Sequence, residues 1–405
     1  MSLYQKASLV QIPSGYKAAD DKLYSVVPSN GNGDFTIDSD ADATRVNKDG
    51  LIESVVADQA RLNYDPSSPQ DPHLLLEPTR ANFVFPNNSL TGYSTSGVTT
   101  SNNQITAPNG TNEGAKVEAT TSGGGVVFKG FSTTASNATH NFSVFAKAGT
   151  HNILQIQEGF AAANIVVDLS DGTEVSSQNA TNKKIEEYPN GWYRVSFNFT
   201  SSGTNLQFAL YFSGGHSSGD NYYVWGGQIE AGDYATSYIP TTTAAVTRTA
   251  DTCKLENFAN MPTDYPFTVF WQGKIDDINF SQFAFSILDI SSNVKYLGLA
   301  FSTTGYFQIH RRNSNYDIDS QTFSMSVGDV LKIAIAFTSN TTYKCYINGS
   351  LIRNETSGDD VDFDFNDILI GQQRVVSESA SRNQASQFML FNEALTDAEL
   401  QTLTS

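Results

Sequence analysis

"PNGWYRVSFNFT", residues 189–200, changes side-chain character at every step once its Pro-Asn-Gly turn is passed. Successive side chains of a strand point to opposite faces, so Tyr193, Val195, Phe197 and Phe199 share one face and Trp192, Arg194, Ser196 and Asn198 the other. A period of two behind a turn predicts a strand with one side in a core. "LQFALYF" repeats the pattern, with Leu206, Phe208, Leu210 and Phe212 together. From about Ala81 to Arg248 no long helical periodicity appears, and Gly, Ser and Asn turns separate short apolar runs at regular spacing, which argues for an antiparallel sandwich.

From about Asp251 onward the same style returns with new sequence. "PFTVFWQGKI" lines up Phe267, Val269, Trp271 and Ile275, and "LKIAIAF" lines up Leu331, Ile333, Ile335 and Phe337. In "YKCYINGSLI", Asn348-Gly349 predicts a type I′ hairpin, because both residues tolerate positive φ. Near the end Thr396 and Glu399 form a capping box, so a short helix should run from about Asp397 to Leu403. The fold class is therefore all-β, with two antiparallel jelly-roll sandwiches at 81–250 and 251–405 and a short C-terminal helix. Residues 1–80, broken by "PSNGNGD" and "DPSSPQDP", are too interrupted for a large core of their own and should lean on neighbours or on other copies of the chain.

Composition excludes several functions. The 405 residues allow two or three domains, each with a core. A formal net charge of -18 without a basic stripe repels phosphate backbones and excludes nucleic acid as a partner. No segment reaches the roughly 20 apolar residues that span a bilayer, and the start lacks a signal-peptide core, so a protein made in the cytoplasm without membrane insertion is expected. Cys253 and Cys345 could pair, although two thiols do not reveal a redox compartment. The many Asn-x-Ser/Thr triplets follow from composition.

Several stretches resemble known proteins. "ASLVQIPSGYKAADDKLYSVVPSNGNGDFTIDSDADATRVNKDGLIE" and "LLLEPTRANFVFPNNSL" resemble a block of tail-fibre and other virion structural proteins of tailed bacteriophages. "SVFAKAG", "NGWYRVSF" and "WGGQIEAGDYATSYIPT" resemble the carbohydrate-binding-module-like jelly roll that follows that block. The last region, with "YKCYINGSLI" and "FMLFNEALTDAEL", is similar to the concanavalin A-like lectin/glucanase superfamily of laminin-G-like type. The resemblance implies a fibre or a capsid or tail decoration, attached to other virion proteins through 1–80. Fibre analogy further implies a homo-oligomer, a trimer among the options. The chain departs from the block at Ile37-Asp38-Ser39-Asp40-Ala41-Asp42 and at Phe85-Pro86-Asn87-Asn88.

Catalytic patterns fail on context. Gly215-His216-Ser217-Ser218-Gly219 matches G-x-S-x-G, but strands flank it where a nucleophile elbow needs a strand before and a helix after, so it reads as a hairpin loop. Neither Asp276-Asp277 nor the acidic run 359–364 reproduces the Glu-x-Asp-x-x-Glu strand of the glucanases, and no enzyme activity is expected. Asp38, Asp40, Asp42 and Asp49 imitate a calcium loop whose sixth position is Ala43 instead of Gly, which rules out an EF-hand and leaves a casual surface calcium as the alternative. The five histidines lack zinc spacing. No cofactor and no metal are expected.

Glycan binding needs a flat aromatic beside hydrogen-bonding side chains. Trp192, Arg194 and Asn198 offer one such face, and Tyr306, His310, Arg311, Arg312 and Tyr316 cluster around a turn; edge-of-core packing and a solvated loop are the competing readings. The resulting expectation is multivalent adhesion to surface polysaccharide, with a ligand-free spacer and a virion glycanase as alternatives. "GGQIEAGDYATSYIPTT" closes the middle sandwich, with Tyr223, Trp225 and Ile229 on its core face, Gly226-Gly227 making room for a bulge, and Tyr234 and Tyr238 folding back over the edge. Trp225→Ala should loosen the whole middle module, seen as a lower melting temperature of the 81–250 fragment.

Overall fold

The computed structural model describes residues 2–16, 22–68, 72–133, 136–275, 282–288, 295–302, 306–312, 316–356, 365–372 and 383–405. It is built from β-sandwiches with one C-terminal helix, Asp397–Thr404, whose Thr396 Oγ1 accepts the Glu399 backbone N–H while the Glu399 side chain accepts from Thr396 N–H. Among the described residues no helix is long and apolar enough to cross a membrane.

The middle sandwich stacks two six-stranded sheets. One runs Val98–Ile105, Gly114–Ala119, Asn221–Ala231, Thr139–Ala148, Trp192–Thr200, Thr181–Tyr188; the other runs Thr173–Gln178, Ala163–Asp168, Ile153–Glu158, Asn205–Phe212, Val126–Ser132, Ser94–Ser96. Between them lie Val195, Phe197, Phe199, Leu206, Phe208, Leu210 and Phe212, the alternate residues expected to face inward. The 215–219 loop passes from one sheet to the other, so it is a crossover between sheets and not the expected hairpin.

One part of the closing strand differs from simple alternation. Opposite Thr139–Ala148, Ser143 pairs with Gln228 but Phe145 pairs with Trp225, so the closing strand carries one extra residue. The extra residue reverses parity, as a bulge must. Ile229 enters the sandwich core, whereas Trp225 packs on the outer face with Phe145 and Tyr238, and Tyr223 lies against the same outer cluster. Gly226 makes this bend at φ +65°, and a Cβ there would sit 2.9 Å from the Phe145 ring.

The C-terminal sandwich takes strands from the start of the chain. Its sheet wraps around a core containing Phe267, Val269, Trp271, Ile275, Leu331, Ile333, Ile335 and Phe337. Ala7–Tyr16 pairs with Asn383–Phe391, and Phe35–Asp38 pairs with Thr252–Leu255, with Lys22–Val27 between them. Thus the first region leans on the third region of the same chain and completes its sheet. The Asn348-Gly349 turn has φ of 46° and 80° and joins Ile347 to Ser350 as expected. Cys253 and Cys345 form no disulfide: both thiols are buried in this core, and burial pushes the Cys253 thiol up.

Four buried charges join the regions. Arg61 Nη1 donates to Glu77 Oε2 at 2.7 Å, Arg61 Nη2 donates to Asp251 Oδ2, and Arg248 Nη1 donates to the same Glu77 oxygen. Glu77 Oε1 accepts the Ser237 backbone N–H at 2.8 Å, and Arg248 Nη2 donates to Pro78 O at 2.7 Å. Burial pulls the Arg61 guanidinium down, but Asp251 and Glu77 outweigh it and hold Arg61 above its ordinary value. Removing one partner of such a set strands a charge in low dielectric, at a cost of about 3–5 kcal/mol. Glu77→Ala should therefore lower the denaturation midpoint of the whole chain steeply in chemical unfolding, whereas Glu53→Ala, on a half-exposed pair with Arg45, should leave it nearly unchanged. Equal midpoints for the two variants would refute this assignment.

Candidate functional site

The two faces proposed from sequence are placed very differently. Trp192, Arg194 and Asn198 do share the outer face of their strand, but they are only 1%, 4% and 4% exposed. Trp192 Nε1 donates to Thr106 O at 3.1 Å. Arg194 donates to Thr236 O at 2.7 Å and lies 5.3 Å from the Phe145 ring centre, while Asn198 donates to Asp233 O and accepts from Asn141 at 2.8 Å. The return segment 233–241 occupies the space a sugar would need, assisted by the hairpin of Ala43–Val46 and Ile52–Val55, whose Thr44 hydroxyl donates to Tyr238 O. Glu230 and Gln228 fasten the same segment through Thr236 and Ile239. No ring face is left for stacking.

In the second cluster, Tyr306–Arg312 and Tyr316–Thr322 pair as neighbouring strands, with Arg312 opposite Tyr316. The side chains of Arg312 and Tyr316 lie outside the described residues, as do Asp276-Asp277 and the acidic run 359–364. Tyr306 is half-buried. His310 and Arg311 are buried on opposite faces of one strand, so they cannot act together on a ligand. The His310 ring sits 4.8 Å from Phe283 and 6.3 Å from Tyr296, and the Arg311 guanidinium 5.5 Å from the Tyr343 ring. Of the acidic calcium-like turn, Asp42 accepts the Ala57 backbone N–H at 3.1 Å, and among the described residues no three His, Cys, Asp or Glu side chains converge as a metal set.

A different surface has the required character. In the second sheet of the middle sandwich, the inward run Leu206, Phe208, Leu210 leaves Gln207, Ala209 and Tyr211 on the outer side, and the inward pair Leu154, Ile156 leaves Gln155 and Gln157 there. Register aligns these across strands. One row reads Val126, Tyr211, Gln155, Val166; the next reads Phe128, Ala209, Gln157, Asn164. Directly opposed residues on one face have Cβ atoms about 4.5–5.5 Å apart. Tyr211 and Phe128 are half-buried rings in adjacent rows with the small Ala209 between them, and the amides of Gln155, Gln157 and Asn164 border them. Gln155 Nε2 donates to Gln157 Oε1 at 2.7 Å, which orients the two amides as one unit.

The arrangement offers flat apolar surface plus neutral donors and acceptors. It lacks the two facing carboxylates that glycoside cleavage needs: Glu158, at the end of the same strand, points inward and accepts the backbone N–H groups of Gln207 and Ala161. The signal for this face is present in "ILQIQE" and "LQFALYF" as the complement of the core positions. Nothing in those segments reports that the opposite sheet, with its Trp and Arg, would be covered.

His310 yields a pH prediction. Desolvation lowers its pKa to about 4, below the ordinary 6.5. Between those values the unfolded chain binds the proton and the folded chain does not, so stability is fully present above pH 6.5 and falls as pH drops towards 4, by up to about 3 kcal/mol. Unfolding free energies measured at pH 7 and pH 4.5 should differ less in His310→Phe than in the parent, and equal pH slopes would refute the burial argument.

No family model matches this chain, and no curated protein matches it. Solved structures with a similar chain path include the Ruminococcus gnavus IT-sialidase CBM40 bound to alpha2,3 sialyllactose, at 16% identity and a TM-score of 0.33, covering 36% of this chain and 86% of that one. The NanB structure with Optactamide is 18% identical, with a TM-score of 0.34, over 38% of this chain and 26% of NanB. The botulinum neurotoxin serotype D binding domain is 16% identical, with a TM-score of 0.32, over 38% of this chain and 40% of that binding-domain chain.

Proposed function

We propose that this protein is a glycan adhesin of a tailed-phage particle, a fibre or a head or tail decoration, which holds surface polysaccharide without cleaving it. The observation that carries the binding reading is the half-exposed face formed by Tyr211 and Phe128 with Gln155, Gln157 and Asn164. A pyranose presents one apolar face and a rim of hydroxyls. Aromatic rings match the first and oriented amides the second. A shallow, half-exposed platform gives weak single-site affinity, and display of several copies on one particle converts it into avidity. The non-catalytic reading is supported by the amides that stand where acid and base carboxylates would be needed. The virion assignment is supported by the linked order of the three sequence blocks, with 1–80 as the region that meets other virion proteins and the full chain as a homo-oligomer.

The reading is tested with the full chain on an array of host-surface polysaccharides. The parent should bind a subset of neutral glycans. Tyr211→Ala and Phe128→Ala should each weaken that binding about tenfold or more, the loss expected of a central aromatic contact, with unchanged melting temperature. Binding that survives the double variant would place the site elsewhere, and silence of the parent across the array would favour a spacer without ligand.

A further inference from the structure

The region where the three parts of the chain meet encloses a cleft of about 300 Å³. That volume lies at the lower end of the roughly 300–1,000 Å³ of small-molecule sites, and such sites favour boundaries between domains. The cleft flanks the outer face of the first sheet of the middle sandwich, on the side away from the Tyr211 platform. Each part contributes charged side chains. Asp65 of the first region pairs with Lys274 of the third at 3.1 Å, and on the middle sandwich Lys184 pairs with Glu186 at 2.8 Å. All four are about one-quarter to one-third exposed, so a ligand in the cleft reaches them, and Asp65 Oδ1 also accepts the Ser67 backbone N–H at 3.0 Å and hydroxyl at 2.8 Å. Tyr64 and Tyr188 supply aromatic wall. Arg194 lies behind this wall, buried, with its guanidinium donating to Thr236 O and Ser143 Oγ.

We infer that this cleft is a second saccharide site, built for one or two uncharged sugar units that bridge the three parts of the chain. Ligand class follows from charge balance. Each ammonium already faces a carboxylate, so a sugar acid would have to compete with Asp65 and Glu186 for its cation, in a chain of net charge -18. A neutral sugar loses nothing there: one hydroxyl accepts from Lys while its neighbour donates to the paired carboxylate, and the pair stays intact. The inference goes beyond the platform reading and uses different residues, so the two fail separately.

Titration calorimetry and saturation-transfer NMR on the full chain decide it, with galactose, N-acetylglucosamine and glucuronic acid as probes. At least one neutral sugar should bind, at least tenfold more tightly than glucuronic acid. The double variant Lys184→Ala/Lys274→Ala should weaken that binding at least tenfold, as should Ser67→Phe, which narrows the mouth of the cleft, while Tyr211→Ala leaves it unchanged. Both lysines are partly exposed, so the melting temperature should hold and separate lost binding from lost folding. No binding of either neutral sugar, preference for glucuronic acid, or binding that persists in the cleft variants would overturn the inference. Loss in Tyr211→Ala alone would overturn it too, while supporting the platform.

Discussion

Two arginines and two acidic residues, all buried, govern how this chain is assembled. Arg61 and Glu77 belong to the first region, Arg248 ends the middle sandwich, and Asp251 opens the last part. None of these charges could stay in low dielectric alone, because desolvation costs several kcal/mol per ion. Together they are neutral, and backbone groups of Pro78, Thr44 and Ser237 satisfy much of what remains. Pulling one region away would leave the others holding unpaired buried charge. The three parts of the sequence are therefore one structural unit at this point, even though their apolar cores are distinct.

That constraint decides which surface is free. Glu77 holds the backbone of Ser237, and Ser237 lies in the segment that crosses the outer face of the first sheet. The same segment receives hydrogen bonds from Arg194 and Asn198 and gives them to Glu230, so the polar residues of that face are consumed in holding the chain's own backbone. A sheet face rich in Trp, Arg and Asn has become an internal seam. The other sheet has no such crossing segment tied to it by these charges, and its Tyr, Phe and amide rows are what the middle sandwich offers outward. Where the cover ends, beside Lys184 and Glu186, the junction cleft begins.

Local rules were legible wherever local physics suffices. Asn348-Gly349 turns where it should because both residues accept positive φ, and Thr396 with Glu399 starts the last helix because each satisfies the other's backbone donor. Alternation placed Val195, Phe197, Leu210 and Trp271 in cores. It failed at Trp225, since one extra residue at Gly226 inverts parity, and the adjacent Gly227 left the position of the bulge open. It also said nothing of how far His310 and Arg311 would be buried, because Phe283 and Tyr296 cover His310 on one face of the strand and Tyr343 meets Arg311 on the other.

By itself the sequence determined the all-β class, the strands, their turns and, for most strands, which residues look inward. These depend on a period of two and on the φ preferences of a few residues, which act within a handful of positions. Only the tertiary structure decided that Ala7–Tyr16, Lys22–Val27 and Phe35–Asp38 complete the C-terminal sheet, that the Trp192 face is sealed, and that the Tyr211 face stays half-exposed. An outward side chain is recognisable from its strand, but exposure depends on whether another segment lies over it. Here the covering segments, 43–55 and 233–241, are brought to Trp192 by charges at positions 61, 77, 248 and 251, which no local window contains.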